Sequence, residues 1–502
     1  MYYQLLKKLF QLHFFSPKTL WYLGQALRKT GINLSALLQW QAKMSPKKIA
    51  INEEQRTMTY AEWWQSTMQV AYYLQHHHGL SPQKKVALIG KNHADLLIVL
   101  FASARLGVDI YLLSTELSAQ QYEDLQQKHQ FDVLIYEPFL AEKLTSLLVD
   151  NQGIILFSEI SEKAKYSIDF PALPAIQGGK LVVLTSGTTG NFKTAARKPH
   201  LGTFLSPFFE LILSLDLQLH QSFYLAPPIY HGFGLAAVFM GIALGAKMQL
   251  LPTFEAETSL ELLQKNQIEI ALIVPLMLHR WLEKNPELPH LQSIISGGAP
   301  LAPTLIEKLS QQLPAKLYNL YGTSEAGFCM MAKSKDLIQK KTTIGKAILG
   351  VQAKLEIPLE HNESKIGQLY IRSKWTIQKE AWVATGDLAY QDAEGFYYLV
   401  GRTDDMIVSG GENVYPQEVE NVLLNHEAVA DAAVIGVNDA AFGQRLQAFL
   451  VLKEGSQITE KELLTWLSQK LARYQMPRQI VFMTALPYNA LGKLERQKLQ
   501  SG

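Results

Sequence analysis

The stretch LVVLTSGTTGNFK, residues 181–193, passes from an apolar run into a loop of glycines and hydroxyl side chains. The run 181–184 predicts a buried strand. In the loop, glycine lets backbone N–H groups approach an anion, Ser and Thr hydroxyls donate to phosphate oxygens, and Lys193 adds positive charge. The loop is not a Walker loop, because Phe192 stands where that pattern requires a glycine before the lysine. The stretch therefore predicts a phosphate-binding loop after a buried strand, with an ordinary strand-to-loop turn as the alternative.

Apolar runs of the same kind recur along the first 350 residues, and helical patterns separate several of them. Such an alternation predicts parallel sheets that are covered by helices on both faces. Helical patterns lie at 94–106, 260–265 and 304–312, and a capped helix is predicted between Ser16-Pro17 and Gly31. The other strand candidates are 86–89, 109–113, 132–136, 154–157, 222–226, 248–251, 268–274 and 293–295.

The pattern changes after about Gly350, where the apolar segments become shorter and alternate with polar residues. Segments 368–372 and 396–400 predict a smaller β-rich subdomain, and the sequence past Gly401 predicts a compact α+β unit. The predicted fold class is therefore α/β, with a large N-terminal domain of parallel-rich α/β sheets, a β-rich subdomain and a small α+β C-terminal domain. The predicted boundary at 402–405 divides the chain into 1–401, with a helical extension at 1–33, and 406–502.

The bulk composition narrows the class of protein. A chain of 502 residues is too long for one ordinary core, and 48% hydrophobic with 18% charged residues is typical of a globular protein. A formal net charge of +2 does not indicate a nucleic-acid partner. The single cysteine, Cys329, excludes an intrachain disulfide and fits a reducing compartment, so we expect a cytoplasmic protein.

Two regions bear on contact with a membrane. The longest apolar run, 232–245, is too short and too rich in glycine to span a bilayer, so it predicts a buried helix. No signal peptide is evident. The first 30 residues are basic and aromatic, which suits peripheral contact with a membrane, and packing on the body of the protein is the more ordinary alternative.

Two segments before residue 390 carry polar side chains that suit a nucleotide. YNLYGTSE, residues 318–325, offers aromatic faces for stacking on a base and a carboxylate for a hard cation such as Mg²⁺. Taken by itself, this segment fits a structural role as well as it fits a functional one. ATGD, residues 384–387, offers a carboxylate that can accept from ribose hydroxyls, although Gly-Asp is also common turn chemistry.

Two more segments follow in the last hundred residues. GRTDDMIVSGGENVYP, residues 401–416, lies on the predicted boundary, and its Arg402 can bind phosphate or ribose oxygens; a solvated turn is the alternative. LPYNALGKLER, residues 486–496, places Gly492 beside Lys493. By itself, an exposed lysine near a chain end is only a solubilising charge.

Together and in this order, the five segments resemble the adenylate-forming superfamily of acyl-CoA synthetases, luciferases and nonribosomal-peptide adenylation domains. The match spans Ser186 to Lys493. The resemblance implies that a carboxylate attacks the α-phosphate of ATP, which gives an acyl-adenylate and pyrophosphate. A thiol, usually that of coenzyme A, then displaces AMP and forms a thioester. The implied cofactors are ATP, Mg²⁺ and coenzyme A, and fixed donors with a cation are what the first step needs.

The resemblance also implies roles for individual residues. Lys493, Glu325 and Lys193 would be catalytic: Lys493 would bridge the carboxylate and the phosphate, and Glu325 would ligate Mg²⁺. Asp404 would be the hinge about which the mobile C-terminal domain rotates. The rotation would bring the loop Ser409, Gly410, Gly411 and Glu412 towards the thiol. The implied ATP-binding residues are Thr185, Ser186, Gly187, Thr188, Thr189, Gly190, Lys193, Gly298, Ala299, Asn319, Tyr321, Gly322, Ser324, Asp387 and Arg402.

The sequence departs from the family pattern around the phosphate loop. Phe192 replaces the usual proline and Thr194 the usual glycine, which puts the shape of the loop in doubt. Ser324 stands where many members have threonine, and it keeps the hydroxyl. None of these departures removes a charged residue with an implied role, so we expect activity.

The segment 226–234 resembles the part of the family that lines the acyl pocket, with His231, Gly232 and Gly297 at the pocket. No Asp or Arg stands out there to pair with a second charge on the substrate, which favours an apolar acyl chain. The prediction is a medium- to long-chain fatty-acyl-CoA synthetase. An aryl-acid CoA ligase, an acyl-AMP ligase that loads a carrier protein, and a degenerate ligand-binding relative remain as alternatives.

Overall fold

The computed structural model describes residue 8 and residues 16–150, 154–164, 172–185, 193–197, 201–357, 365–376, 381–409, 412–439, 443–489 and 492–500. For Thr185, Lys193, Asp404 and Glu412, among others, the backbone alone is described. The predicted α/β class, with large parallel sheets and a small C-terminal domain, is confirmed. Within the described ranges, no helix combines the length and the apolar character that crossing a bilayer requires.

From residue 16 onward, the described chain first forms two helices, α1 (Pro17–Thr30) and α2 (Leu34–Met44). The capping predicted from the sequence is confirmed for α1: the Ser16 hydroxyl accepts from the backbone N–H of Thr19, and Gly31 ends the helix at φ +85°. Glycine is needed at this end, because an added Cβ would lie 2.3 Å from the carbonyl oxygen of Ile176. The α1 helix is thus docked on the body of the protein at its C-terminal end.

The next part of the chain builds a six-stranded sheet in the order β6-β5-β3-β4-β7-β8, in which only the β7–β8 pair is antiparallel. Strands β1 and β2, which come first in this part of the chain, belong to the second sheet described below. The elements are β1 (Ile49–Asn52), β2 (Thr57–Thr59), α3 (Tyr60–His78), β3 (Lys85–Ile89), α4 (Ala94–Arg105), β4 (Asp109–Leu112), α5 (Ala119–His129), β5 (Val133–Tyr136), α6 (Thr145–Asp150), β6 (Ile154–Leu156), α7 (Phe157–Ala164), β7 (Leu181–Thr185) and β8 (Lys193–Arg197).

Helix α4 lies at the centre of the largest core, because it is buried on every side. Apolar residues of both large sheets, such as Val86 and Met248, belong to the same cluster as Leu97 of α4. Each fully buried Leu, Ile or Phe side chain there contributes roughly 1.5–3 kcal/mol. The core between the two sheets therefore fixes their relative position.

The second sheet has a parallel half that consists of β1, β10, β9, β11, β12 and β13, with β2 antiparallel at its edge. The apolar run 232–245 is a helix, as predicted. The elements of this part are α8 (Leu201–Leu215), β9 (Ser222–Leu225), α9 (Gly232–Leu244), β10 (Lys247–Leu250), α10 (Ala256–Lys265), β11 (Ile270–Ile273), α11 (Pro275–Glu283), β12 (Ser293–Gly297), α12 (Pro303–Gln312) and β13 (Lys316–Thr323).

An antiparallel half continues the same sheet in the order β13-β14-β15-β19-β18-β17-β16. The β-rich region predicted after Gly350 is therefore not a separate layer, because β14 and β15 join it to the parallel half. Its elements are β14 (Gly327–Ala332), α13 (Ser334–Gln339), β15 (Thr343–Ala347), β16 (Gln352–Glu356), β17 (Gly367–Arg372), β18 (Val383–Gln391) and β19 (Tyr397–Arg402).

The last part of the chain forms a small sheet in the order β21-β20-β23-β22, with β24 parallel to β23. It has its own core, which includes Val419, Leu446 and Leu463. A short 3₁₀ helix, Thr403–Asp405, connects it to β19. Its elements are β20 (Ile407–Ser409), β21 (Glu412–Val414), α14 (Pro416–Leu424), β22 (Val429–Asp439), β23 (Gly443–Leu452), α15 (Glu460–Ser468), β24 (Gln479–Phe482) and α16 (Arg496–Gln500).

Candidate active site

A cleft of about 2580 Å³ opens at the carboxyl ends of the parallel strands β9, β11, β12 and β13. Ligands of α/β proteins bind at this edge of the sheet, because the loops that follow neighbouring parallel strands meet there. The register places Ser296 beside Asn319 and Gly297 beside Leu320, which brings two of the predicted segments together. The predicted residues that line the cleft are His231, Gly232, Gly297, Gly298, Ala299, Asn319, Tyr321, Gly322, Ser324, Glu325, Asp387, Arg402 and Lys493.

The carboxylate of Asp387 is the centre of a hydrogen-bonded group in this cleft. The Tyr321 hydroxyl donates to Oδ2 of Asp387 at 2.6 Å, and a guanidinium nitrogen of Arg402 donates to Oδ1 at 3.0 Å. The backbone N–H of Asp387 donates to the Thr385 hydroxyl at 3.1 Å. Tyr321 and Arg402 therefore hold the two carboxylate oxygens from two sides, while Thr385 fixes the backbone of Asp387.

The Thr-Gly-Asp segment is not a turn, which was one interpretation of the sequence, but lies inside β18. Gly386 has φ +78°, and an added Cβ would lie 2.7 Å from a guanidinium nitrogen of Arg402. A glycine is needed at this position because L side chains rarely adopt a φ of +78°, and the Arg402 side chain would also have to shift to admit a Cβ. The local distortion of the strand lets Asp387 face Tyr321.

Burial raises the pKa of Asp387, while the hydrogen bond from Tyr321 and the charge of Arg402 oppose this shift. Burial also raises the pKa of Tyr321, which therefore remains a proton donor to the carboxylate. The Nε atom of Arg402 is buried and has no hydrogen-bond partner among the described residues. A ribose or phosphate oxygen of a nucleotide would supply that partner, so this group fits ATP.

Lys493 reaches the same cleft on a tight turn near the C-terminus. The N–H of Lys493 donates to the Asn489 side chain at 3.0 Å, and the N–H of Gly492 donates to the Asn489 carbonyl at 2.8 Å. Gly492 has φ +67°, and an added Cβ would lie 3.1 Å from Cβ of Leu276 and 3.3 Å from Val274. The turn therefore packs on the wall of the cleft at the start of α11.

The charge of Lys493 is sensitive to its surroundings. Water reaches the side chain from the cleft, but the protein atoms around it desolvate the ammonium group and lower its pKa. The charge of Arg402 acts in the same direction, and those of Asp387 and Glu325 oppose it. The structure thus brings together four charged residues that the sequence places in four separate segments.

Glu325 lies in the turn after β13, where the N–H of Ala326 donates to the Thr323 hydroxyl at 3.1 Å. Within the described part of the chain, no group of three or more His, Cys, Asp or Glu side chains is placed to hold a metal by protein ligands alone. Mg²⁺ does not need one, because it keeps several waters and is bound through one or two carboxylates together with phosphate oxygens. A single carboxylate beside the nucleotide group fits that mode of binding.

The predicted acyl pocket lies next to Lys493. Burial, together with the charge of Lys493, lowers the pKa of His231 to about 3, so the imidazole is neutral at physiological pH. A Cβ added at Gly232 would meet no atom within 4 Å, and one added at Gly298 would come no closer than 3.9 Å to Val274. Backbone without side chains therefore leaves open space at two positions in the cleft that His231 lines.

The cleft continues from this pocket between four helices. The lining residues that α1, α2, α8 and α9 contribute carry no charged side chain in the described ranges. They include Leu23, Leu37, Phe208, Phe233 and Met240. A charged group on the distant end of a substrate would therefore find no counter-ion on these helices.

Sequence analysis missed Asn92, which is 3% exposed and follows β3 in the first sheet. Its side-chain amide donates to the Pro227 carbonyl at 3.0 Å, and its oxygen accepts from the N–H of Ile229 at 2.8 Å. It thus clamps the loop that leads to His231. A polar residue between a buried strand and a buried helix was the available signal, because a buried amide must find partners.

Other predicted residues cannot be placed in the cleft. Ser186, Gly187, Thr188, Thr189, Gly190, Gly410 and Gly411 lie outside the described residues, as does Phe192. Only the backbone is described for Thr185, Lys193, Thr194, Asp404 and Glu412. Ser409 is buried in β20, where it pairs with Gly443, and it does not line the cleft.

A family model described as AMP-binding enzyme matches residues 38–379, and one described as AMP-binding enzyme C-terminal domain matches residues 418–493. The chain belongs to the AMP-binding enzyme family. The resemblance to adenylate-forming enzymes is thereby confirmed. The predicted enzyme class, an AMP-forming acid–thiol ligase, is confirmed as well.

Among its relatives in this family is the 2-succinylbenzoate–CoA ligase of Bacillus licheniformis, which is 30% identical over 92% of this chain and 98% of the relative. The o-succinylbenzoate CoA synthetase of Bacillus subtilis, solved with the acyl-adenylate intermediate OSB-AMP, is 26% identical with a TM-score of 0.79, over 93% of this chain and 98% of that one. The same enzyme solved with ATP and magnesium ion is 27% identical with a TM-score of 0.80, over 92% and 99%.

These AMP-binding enzymes change the prediction about the acid. Both proteins are named for an aryl acid, so the comparisons favour the aryl-acid alternative over the fatty acid that the sequence analysis preferred. The predicted ATP and Mg²⁺ agree with the complex of the Bacillus subtilis enzyme. The sequence alone was a weak guide to the acid, because an apolar pocket suits an aromatic ring as well as an alkyl chain.

Proposed function

We propose that the protein converts an aryl monocarboxylic acid into its coenzyme A thioester by way of an acyl-adenylate, with release of AMP and pyrophosphate. The observation that carries this proposal is the convergence of Lys493, Asp387, Arg402 and Glu325 in one cleft, beside the neutral pocket of His231. Lys493 lies between the group proposed to bind the nucleotide and the apolar pocket. A cation at this place is what the attack of a carboxylate on ATP requires, because it brings two negatively charged groups together.

In the first half-reaction, Asp387 and Arg402 would bind the ribose, and the ring of Tyr321 would lie against the adenine. Lys493 would donate to the substrate carboxylate and to an α-phosphate oxygen, which places the two reacting groups together and offsets their like charges. The segment 185–193 would hold the outer phosphates. Mg²⁺, when bound at Glu325, would neutralise charge on the phosphate oxygens.

In the second half-reaction, Lys493 would leave the cleft so that the thiol can reach the adenylate. We propose that the C-terminal domain, 406–502, moves as a unit relative to 1–401 about 402–405, with Asp404 as the hinge. The backbone of this segment is a single 3₁₀ turn between two sheets, so few dihedral angles need to change. The movement would break the contact of Gly492 with Val274 and Leu276.

The choice of an aryl acid rests on the names of the relatives and on the shape of the pocket. Open space beside the glycine backbones of Gly232 and Gly298 suits a flat ring. The neutral His231 and the uncharged lining from α1, α2, α8 and α9 favour an acid with one carboxylate over a diacid such as 2-succinylbenzoate.

A straight-chain fatty acid is the second candidate. The apolar cleft runs on from His231 between α1, α2, α8 and α9, which offers room for a long alkyl chain. The carrier-protein acceptor and the ligand-binding relative have no comparable observation in their favour.

The test is a panel of acids, with ATP, Mg²⁺ and coenzyme A, in which pyrophosphate release and thioester are both measured. The panel contains benzoate, cinnamate, 2-succinylbenzoate and straight-chain acids of graded length. We expect the highest kcat/KM for an aryl monoacid. A maximum among the straight chains would replace the aryl acid with the fatty acid, and a maximum for 2-succinylbenzoate would contradict the single carboxylate.

A substitution in the pocket makes the test specific to this site. Gly232→Leu fills the open space beside His231, so we expect it to lower kcat/KM for the preferred acid by at least ~10-fold, as expected for a filled binding site. Gly24→Leu is the matched control, because Gly24 also has no atom near its would-be Cβ but is exposed on the outer side of α1 and does not line the cleft.

A further inference from the structure

We propose that the outward side of helix α1 is a docking surface for an anionic lipid bilayer. The α1 surface consists of Lys18, Leu20, Trp21, Gly24, Arg28 and Lys29. The proposal does not depend on the identity of the acid, since it concerns where the enzyme works and not what it activates.

The charge of the chain is concentrated at this end. Residues 1–52 contain eight Lys or Arg and no Asp or Glu, and the first acidic residue is Glu53. Because the whole chain has a formal net charge of +2, the other 450 residues carry six more acidic than basic side chains. The basic charge is therefore local in the sequence, and three of the eight residues, Lys18, Arg28 and Lys29, are exposed on α1, where an anionic surface would attract them.

The helix has a clear inner and outer side. Thr19, Ala26 and Thr30 are buried and face the body of the protein. Trp21, Gly24 and Arg28, at spacings of three and four residues, lie on the opposite side. No atom lies within 4 Å of a Cβ placed on Gly24, so the middle of this side is open.

Large apolar side chains stand out from this surface into solvent. Trp21 is 59% exposed and Leu20 is 52% exposed, and Ile32 just after the helix is 50% exposed. Lys18, Arg28 and Lys29 are exposed beside them. A helix that carries Trp and Leu among basic residues is suited to the boundary between headgroups and acyl chains.

The helix is firmly attached on its inner side, so docking would not need to order it. The buried guanidinium of Arg105 donates to the Lys29 carbonyl at 3.4 Å and to the Leu173 carbonyl at 2.6 Å. The Asn33 side chain donates to the Ile176 carbonyl at 2.9 Å. The α1 helix therefore packs on the body of the protein through its inner side, and its outer side is exposed.

A bilayer fits this surface better than a nucleic acid does. Phosphate-backbone binding needs basic groups but gains little from exposed Leu20 and Ile32, whereas a lipid surface uses both. The inner side of the same helix adds a second reason, because Leu23 and Leu27 line the apolar cleft that leads to His231. A docked helix would bring the apolar end of that cleft next to the lipid.

The experiment is co-sedimentation of the full chain with vesicles of phosphatidylglycerol and phosphatidylcholine in equal amounts, and with vesicles of phosphatidylcholine alone. We expect binding to the anionic vesicles that weakens with added salt, and little binding to the neutral ones. The triple variant Lys18→Glu, Arg28→Glu, Lys29→Glu should bind at least ~10-fold more weakly, given about 1 kcal/mol for each basic residue near an anionic surface.

A matched control removes the effect of net charge. Lys265→Glu, Lys316→Glu and Lys461→Glu change the same charge at exposed lysines elsewhere, and this variant should bind nearly as the wild type does. Melting temperatures of both triple variants check that they are folded. An equal loss of vesicle binding in the two variants would mean that only the net charge of the protein attracts it to the vesicles. That result would overturn the proposal.

The apolar part is tested separately with vesicles that contain brominated lipid. We expect quenching of tryptophan fluorescence in the wild type and much less in Trp21→Phe, since Trp21 would enter the lipid. Equal quenching in both proteins would reject the proposal. So would the absence of wild-type binding to anionic vesicles. Duplex DNA that releases the protein from the vesicles and binds it instead would also reject the proposal.

Discussion

The hydroxyl of Tyr321 donates a 2.6 Å hydrogen bond to Oδ2 of Asp387, across three intervening strands of one sheet. Arg402, on the strand next to that of Asp387, holds the other carboxylate oxygen at 3.0 Å. The parallel half of the sheet thus fixes a carboxylate of the antiparallel half. We infer that this bond orients Asp387 before a nucleotide arrives.

Tyr321→Phe removes the hydroxyl and keeps the ring for the adenine. Loss of a hydrogen bond to a charged group costs about 1.5–3 kcal/mol, so we expect KM for ATP to rise by ~10-fold or more. If Asp387 binds the ribose, the preference for ATP over 2′-deoxy-ATP should shrink in the same variant. Steady-state kinetics with both nucleotides measure this.

The control for that substitution is Tyr390→Phe, because Tyr390 is exposed and stacks on Tyr398 away from Asp387. It should change neither KM nor the nucleotide preference. An unchanged preference in Tyr321→Phe would show that the hydroxyl does not position the ribose-binding carboxylate.

Lys493→Ala should separate the two half-reactions. We expect formation of the acyl-adenylate from acid and ATP to fall by at least ~100-fold, because the cation proposed to bridge the carboxylate and the phosphate is lost. Thioester formation from a supplied acyl-adenylate should remain close to the wild-type rate. Lys461→Ala, in the same part of the chain, should affect neither reaction. Equal loss in both half-reactions would contradict the assigned role.

The pH dependence of the first half-reaction should report Lys493. Its pKa is lowered by desolvation and by Arg402. In the proposed mechanism the protonated form of Lys493 is the active one. Activity should therefore be complete at lower pH and decline as the pH rises through a pKa below that of a free lysine, about 10.4. The kcat/KM profile of the free enzyme measures this. Lys493→Arg should retain some activity, and its activity should not fall at high pH. If activity still falls at high pH in this variant, another group is responsible for the decline.

Asn92→Leu should disturb the acid site and leave the nucleotide site intact. The substitution leaves buried groups of the loop 226–229 without partners, at about 1–3 kcal/mol for each, and frees the loop before His231. We expect a lower melting temperature and a ~10-fold higher KM for the acid, with KM for ATP nearly unchanged. Asn438→Leu, at an exposed position, is the control. A parallel rise in both KM values would indicate general damage instead of positioning.

Local sequence determined a large part of this protein. Ser16, Pro17 and Gly31 define the first helix, because capping depends on neighbours in the chain. Most strands of the two large sheets were predicted from their apolar runs, since buried parallel strands need apolar residues on both faces. Five segments were sufficient to indicate the family, because five residue patterns in one order are far more specific than any one of them.

Tertiary structure decided what depends on distant parts of the chain. The sequence left Thr-Gly-Asp as a turn or a site. Only the pairing of β18 with β19 shows that it lies in a strand from which Asp387 meets Tyr321. Asn92 gave little signal, because its partners lie 133 to 137 residues away in another sheet. The charge of Lys493 likewise depends on groups that only folding assembles. Local patterns encode elements and chemistry, whereas register and packing decide which side chains meet.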